Sequence, residues 1–315
     1  MAELGLDQGY AALRDGAGAL ALDRDVVRVA GPDAATYLQG QTSQDVVALK
    51  AGSPAWALVL QPQGKLDALV RVFPVSEEEF ILITDGGVGG ALEARLNRFK
   101  LRTRVEVKHL DWGCWAVFGP SAEPPREGSA SPAGDAAGAP LAGGPVAVTF
   151  EWGGSLHGYE LLGPEPVPPA GTPVVSRGSF EAVRVEVGFP RHGSELDERT
   201  IPAEAGLVDA SVSFTKGCYT GQELVARIDS RGSNVARRLR GLVLSGPAAP
   251  GESLLDGEKV AGRLTSVAGS PRLGWVALGY VMRGVNIGAK LTVSGALAEA
   301  VVGELPISAH GTMRR

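Results

Sequence analysis

From residue 237 onward the helical period disappears from this chain. The runs "RLRGLVLSG", "KVAGRLTSVAG", "LGWVALGYV" and "AKLTVSG" read as short strands separated by Gly-rich turns. Short strands with no helix to cover them bury one face by closing on themselves, so a small β-barrel is expected over 236–315. The full length of 315 residues exceeds the roughly 250 to 300 at which a single core stops growing. Two or three packed units are therefore expected.

Ahead of the barrel the pattern is mixed. Over 1–120, "DVVRVAG" and "AWALVL" read as strands, "LDALVRVFPV" and "EFILIT" as a strand pair, and "VEVKHL" and "CWAVFG" as two further strands. "GPDAATYLQGQ" puts Pro32 at a first helical position, and "VGGALEARLNRFKLR" carries Leu92, Leu96 and Phe99 at helical spacing. Residues 121–144 are rich in Pro, Gly, Ala and Ser and read as a flexible, exposed insertion. Over 145–235 strands return in "VAVTFEW", "GYELLG" and "PVV", followed by the helix "SFEAVRVEVG". The fold class is α+β.

Composition removes several function classes. An apolar fraction of 44% with 21% charged residues is that of an ordinary globular protein, and a net charge of −5 gives no general attraction to phosphates or anionic lipid. Direct nucleic-acid binding and a membrane partner are not expected. No apolar run reaches the length of a membrane span, and "MAELGLDQGY" lacks the regions of a signal peptide, so a cytoplasmic location is expected. Two cysteines and four scattered histidines make no metal-binding spacing, so no metal site is expected. Cys114, in the strand-like "DWGCWAVFG", is not expected to pair with Cys218.

Cys218 lies in "KGCYTGQELVARIDSRG", between Gly217 and what reads as a helix start. Thr220 followed by Glu223 has the form of a capping box, with Leu224, Val225 and Ile228 as the apolar stripe behind it. A helix beginning at Thr220, with Lys216 two residues away, favours a thiolate at Cys218. Both residues are candidate chemical groups. Arg227 and Arg231, towards the end of that helix, read as dipole partners, with anion binding as the sharper alternative.

The same segment resembles the signature of the YgfZ family, folate-binding relatives of the glycine-cleavage T-protein. Lys216, Gly217, Cys218, Tyr219, Gly221, Gln222 and Glu223 carry the match, and "YLQGQTSQDV", "QPQGKLDALVRV", "LNRFKLRTRVEV" and "VGFPRHGSELDERTIPAEAGL" follow in the family's order. The resemblance implies a three-domain T-protein-like fold, its first two α/β units interleaved in sequence around a central folate site. It implies tetrahydrofolate or a one-carbon derivative as cofactor. It also implies a role in the assembly, maintenance or repair of iron-sulfur enzymes, including tRNA-modifying ones, whose proteins or assembly machinery would be its partners.

By matched position the resemblance assigns three residues to folate. Glu160 in "GYE" would accept paired N–H groups of the pterin. Arg184 in "AVRVEVGFPRHG" would offer a planar fork to ring or tail oxygens. Asp67 in "GKLDAL" keeps one carboxylate of the T-protein pair, but Ala68 stands where the second is expected. The competing reading, a folate-dependent aminomethyl or methyl transferase, would need that second carboxylate.

Overall fold

The structure is a computed structural model that describes residues 3–125, 145–232 and 234–308. From residue 126 the insertion expected over 121–144 lies outside the described residues. The N-terminal segment forms α1 (Leu6–Asp15), followed by β1 (Gly18–Ala21) and β2 (Arg24–Ala30). α2 (Ala34–Gln41) and β3 (Ala55–Leu60) lead into the hairpin β4 (Leu66–Pro74) and β5 (Glu79–Asp85). α3 (Gly89–Phe99), β6 (Glu106–Leu110) and β7 (Gly113–Phe118) follow.

After the insertion come β8 (Val146–Trp152), β9 (Leu156–Gly163), α4 (Arg177–Val187), the short α5 (Val208–Ser211) and α6 (Gln222–Asp229). The C-terminal strands are β10 (Arg237–Leu244), β11 (Ser253–Asp256), β12 (Lys259–Ser270), β13 (Gly274–Met282), β14 (Lys290–Val293) and β15 (Glu299–Gly303). They close into a barrel in the order β10-β13-β12-β11-β14-β15. β11 and β15 were not foreseen from the sequence.

Two antiparallel sheets stand ahead of the barrel. One has the order β3-β4-β5-β2-β6, and the other β1-β7-β9-β8. β1 crosses from the N-terminal segment to pair with β7, Gly18 opposite Phe118. α2 and α3 cover the first sheet through Leu38, Leu92 and Leu96, while Phe99, placed on the same stripe by the sequence, is 37% exposed. Pro32 lies ahead of the helix rather than at its first position, because α2 starts at Ala34 behind Asp33. "PVV" forms isolated bridges, Val174 to Ala19 and Val175 to Leu4, rather than a strand.

The three layers share one core. Leu58 and Leu66, Phe118 and Phe150, Phe180 and Val183 of α4, and Val276, Leu278 and Tyr280 of the barrel belong to the same buried cluster. α4 is its axis. Ser176 caps it by accepting from the Ser179 N–H at 3.1 Å, and Gly188 ends it in the left-handed region at φ 76. The site described next lies at this junction.

Candidate functional site

Glu160 sits in β9 between Ala116 of β7 and Val148 of β8 and is wholly buried. A lone buried carboxylate is costly, and two arginines compensate it. Arg24 at the start of β2 donates Nε to Glu160 Oε1 at 3.0 Å, and Arg71 of β4 donates Nη2 to Oε2. Burial pushes the Glu160 carboxyl up, but Arg24 and Arg71 outweigh it and hold the group below its usual range. Arg24 also pairs with Asp85, whose other oxygen accepts the His192 N–H at 2.8 Å.

Aromatic rings wall this cluster. The Arg71 guanidinium lies 5.0 Å from the Phe150 centroid and 5.6 Å from that of Trp56, and Arg24 lies 5.9 Å from Phe189. Arg71 Nε and Nη1 are buried with no partner. The enclosed space is about 10 Å³, room for one water. Cys114 is buried close by, and desolvation followed by the Glu160 charge pushes its thiol well up.

A larger cleft of about 280 Å³ adjoins it, sharing Arg24, Asp85 and Phe189 and lined also by Arg177, Arg184 and His192. Arg184 forms its inner wall. Its fork is fully used: Nε and Nη2 reach Glu181 at 3.0 Å, Nη1 donates to Glu195 at 3.0 Å and to the Phe189 carbonyl at 2.7 Å, and Nη2 also donates to Ser266 at 2.6 Å. Five N–H donors thus tie α4, the following loop and β12 together.

The KGC segment lies elsewhere, against the C-terminal end of α2. Lys216 is buried, and its Nζ donates to the carbonyls of Gln39 at 2.5 Å, Thr42 at 2.6 Å and Gln44 at 2.9 Å. Desolvation lowers its pKa to about 8, with Asp45 opposing. Cys218 is exposed.

The helix start expected at Thr220 is corrected to Gln222. Gly221 stands ahead of it at φ 83 and no side chain caps it. The cause is a close approach: a Cβ on Gly221 would meet the Gln61 carbonyl at 2.7 Å and Leu60 Cβ at 2.8 Å, so this residue has to be glycine and the helix begins after it. Glu223 becomes the second helical residue and the capping box does not form. Cys218 precedes the helix by four positions, whereas the helix field fades within about one turn.

Asp67 belongs with this second region. Arg95 of α3 donates Nε to it at 3.1 Å, Nη1 to Gln41 at 3.2 Å and Nη2 to the Leu60 carbonyl at 3.2 Å. The structure therefore groups Glu160 with Arg184 around adjoining cavities, and Asp67 with Lys216 and Cys218 around α2. Arg24 and Arg71 were missed from the sequence. A signal was present in "LVRVF", where a cation interrupts an apolar run that forms an inner strand of its sheet.

Comparison with known proteins fits this architecture. Residues 237–307 match the glycine cleavage T-protein C-terminal barrel domain. A crystal structure of the glycine cleavage aminomethyltransferase T from Bartonella henselae superposes with a TM-score of 0.80 at 22% identity, over 96% of this chain and 89% of that one. The fold is thus that of the T-protein, α+β with a C-terminal barrel. The aminomethyltransferase of Thermus thermophilus is 28% identical over 88% of this chain and 83% of its own. The human mitochondrial iron-sulfur cluster assembly factor IBA57 is 31% identical over 66% of this chain and 61% of its own. The chain is homologous to both kinds of protein. Among the described residues, no helix is long and apolar enough to cross a membrane.

Proposed function

We propose that this protein belongs to the YgfZ branch of these homologues, binds tetrahydrofolate or a one-carbon derivative, and supports assembly, maintenance or repair of iron-sulfur enzymes, including those that modify tRNA. It would act in the cytoplasm, a reducing compartment in keeping with two unpaired cysteines. The observation that carries the reading is the KGC loop. Three backbone carbonyls fix Lys216, and Cys218 two residues on is exposed, in a chain homologous to IBA57.

The central cluster fits a folate in its chemistry. A carboxylate, two guanidinium groups with two orphaned donors, and the faces of Trp56, Phe150 and Phe189 suit a planar ring with polar edges. Glu160 and Arg71 would hold the ring, and Arg184 would keep the neighbouring wall in place. Since the space holds one water, its wall would have to open to admit a ring. A bound reduced folate would supply a one-carbon unit or its acceptor.

The transferase reading draws on the Thermus and Bartonella matches along most of the chain. Against it stands Asp67, alone and tied to Arg95, with Ala68 turned into the core between the first sheet and its helices. No glycine-cleavage turnover with lipoyl carrier protein is expected, and turnover above background would favour that reading. The functional test is a strain lacking this gene. Iron-sulfur enzyme activities and tRNA methylthiolation should fall and return with the wild-type gene. Unchanged activities in the deletion strain would contradict the proposal.

A further inference from the structure

α3 runs out into a basic segment. From residue 94 to 108 the chain reads "ARLNRFKLRTRVEVK", six basic residues against one acidic, in a chain of net charge −5. Arg95 is held by Asp67 and Arg104 by Asp33. Arg98, Lys100, Arg102 and Lys108 make no ion pair among the described residues, and Arg98, Arg102 and Lys108 are exposed. Leu101 stands among them, 88% exposed and held at φ 46. It is the one non-glycine residue of positive φ among the described residues. An exposed leucine alone is ordinary, but one held in a sparsely populated backbone region amid unpaired cations marks this stretch for a role.

Arg95, at the head of this segment, and Lys216 of the KGC loop both bind the C-terminal end of α2. Arg95 holds Gln41 and the Leu60 carbonyl, while Lys216 holds the carbonyls of Gln39 and Thr42, and the Thr220 N–H donates to that of Gly40 at 3.2 Å. Gly221 closes on the same Leu60. On α6 and just after it, Arg227 and Arg231 are exposed but balanced by the exposed Glu223 and Asp229, so the positive charge is confined to the end of α3 and the segment after it.

We propose that this basic face docks an acidic surface of a partner protein, with Leu101 entering an apolar recess there, and so presents that partner to Cys218. The inference rests on the iron-sulfur reading above and specifies the kind of partner that reading requires. Charge complementarity selects an acidic surface. A single-stranded nucleic acid fits less well, since base stacking needs a free aromatic face and Phe99 is covered by Arg95 at 3.8 Å and flanked by Arg98 at 5.8 Å.

The test uses the full chain, with a polyglutamate peptide and an oligoribonucleotide of equal charge as fluorescent probes. Polyglutamate should bind in a salt-sensitive way and bind about tenfold more weakly to Arg98→Glu/Arg102→Glu. Leu101→Gly relieves the backbone and should fold at least as stably. Both variants should keep wild-type tetrahydrofolate affinity and Cys218 alkylation rate, yet lose the ability to restore iron-sulfur enzymes in the deletion strain. Wild-type rescue by both variants would overturn the proposal, as would preferential binding of the oligoribonucleotide to this face. If the wild-type gene itself fails to rescue, the functional reading fails, and loss or retention of polyglutamate binding in the double variant still decides the surface.

Discussion

Arg71 donates through Nη2 to Glu160 while its Nε and Nη1, equally buried, find no acceptor. The pair is therefore incomplete as a structural device and suited to a ligand with acceptor atoms. Glu160→Gln removes the charge that both arginines face, and breaking such a buried pair should cost about 3 kcal/mol in denaturant unfolding. Tetrahydrofolate affinity by calorimetry should fall with it. A folded variant of unchanged affinity would take Glu160 out of the site. The wild type should also be the more acid-sensitive protein. The folded Glu160 carboxyl lies below its ordinary value, so its share of stability is present above the unfolded pKa of about 4.3 and is lost as pH falls through the folded one.

Lys216 gives a pH dependence of the same sign in a separate, alkaline window. Its pKa is lowered from 10.5 to about 8 by desolvation, so below about 8 the folded chain bears the full cost of a dehydrated ammonium. Between about 8 and 10.5 the unfolded chain binds a proton that the folded chain has released. The stability of wild type relative to Lys216→Met should therefore rise with pH across that window. A flat or falling difference would show that the three carbonyls, not burial, dominate its titration.

Ala68 is 1% exposed and packs in the core with Val59 and Val70. Restoring a second carboxylate by Ala68→Asp would bury an unpaired charge there, and stability should drop by at least about 3 kcal/mol. A stable Ala68→Asp protein with aminomethyl-transfer activity would contradict both the packing and the assignment.

Arg184→Met should leave the Phe189 carbonyl without this donor and the buried Glu195 with only the Ser266 hydroxyl and the Arg191 N–H to offset its charge. Unfolding by urea should show a loss of about 3 to 5 kcal/mol. Arg184→Lys should recover only part of it, since one ammonium cannot replace a planar fork that bridges three elements.

Much of this architecture was legible in the sequence because period and length are local properties. The strands in "DVVRVAG", "AWALVL" and "CWAVFG" and the buried Leu92 and Leu96 of α3 read directly, whereas Phe99 did not. The start of α6 did not, because Thr220 and Glu223 satisfy a local rule that the distant Leu60 and Gln61 overrule by closing on Gly221. The Arg24–Glu160–Arg71 cluster was hidden for the same reason: three strands far apart in sequence supply it. β11 escaped because its two apolar residues, Leu254 and Leu255, are adjacent rather than alternating and leave no period of two to read.

The central claim meets its most direct test at Cys218. Its thiol is exposed and Cys114 is buried, so iodoacetamide should label the first quickly and leave the second as an internal control. Cys218→Ala removes one small exposed side chain and should change stability by no more than about 0.5 kcal/mol. Introduced into the deletion strain, that folded, folate-binding variant should fail to restore iron-sulfur enzyme activity. Full restoration by Cys218→Ala would contradict a chemical role for the thiol and leave the KGC loop as a packing device around Gly221.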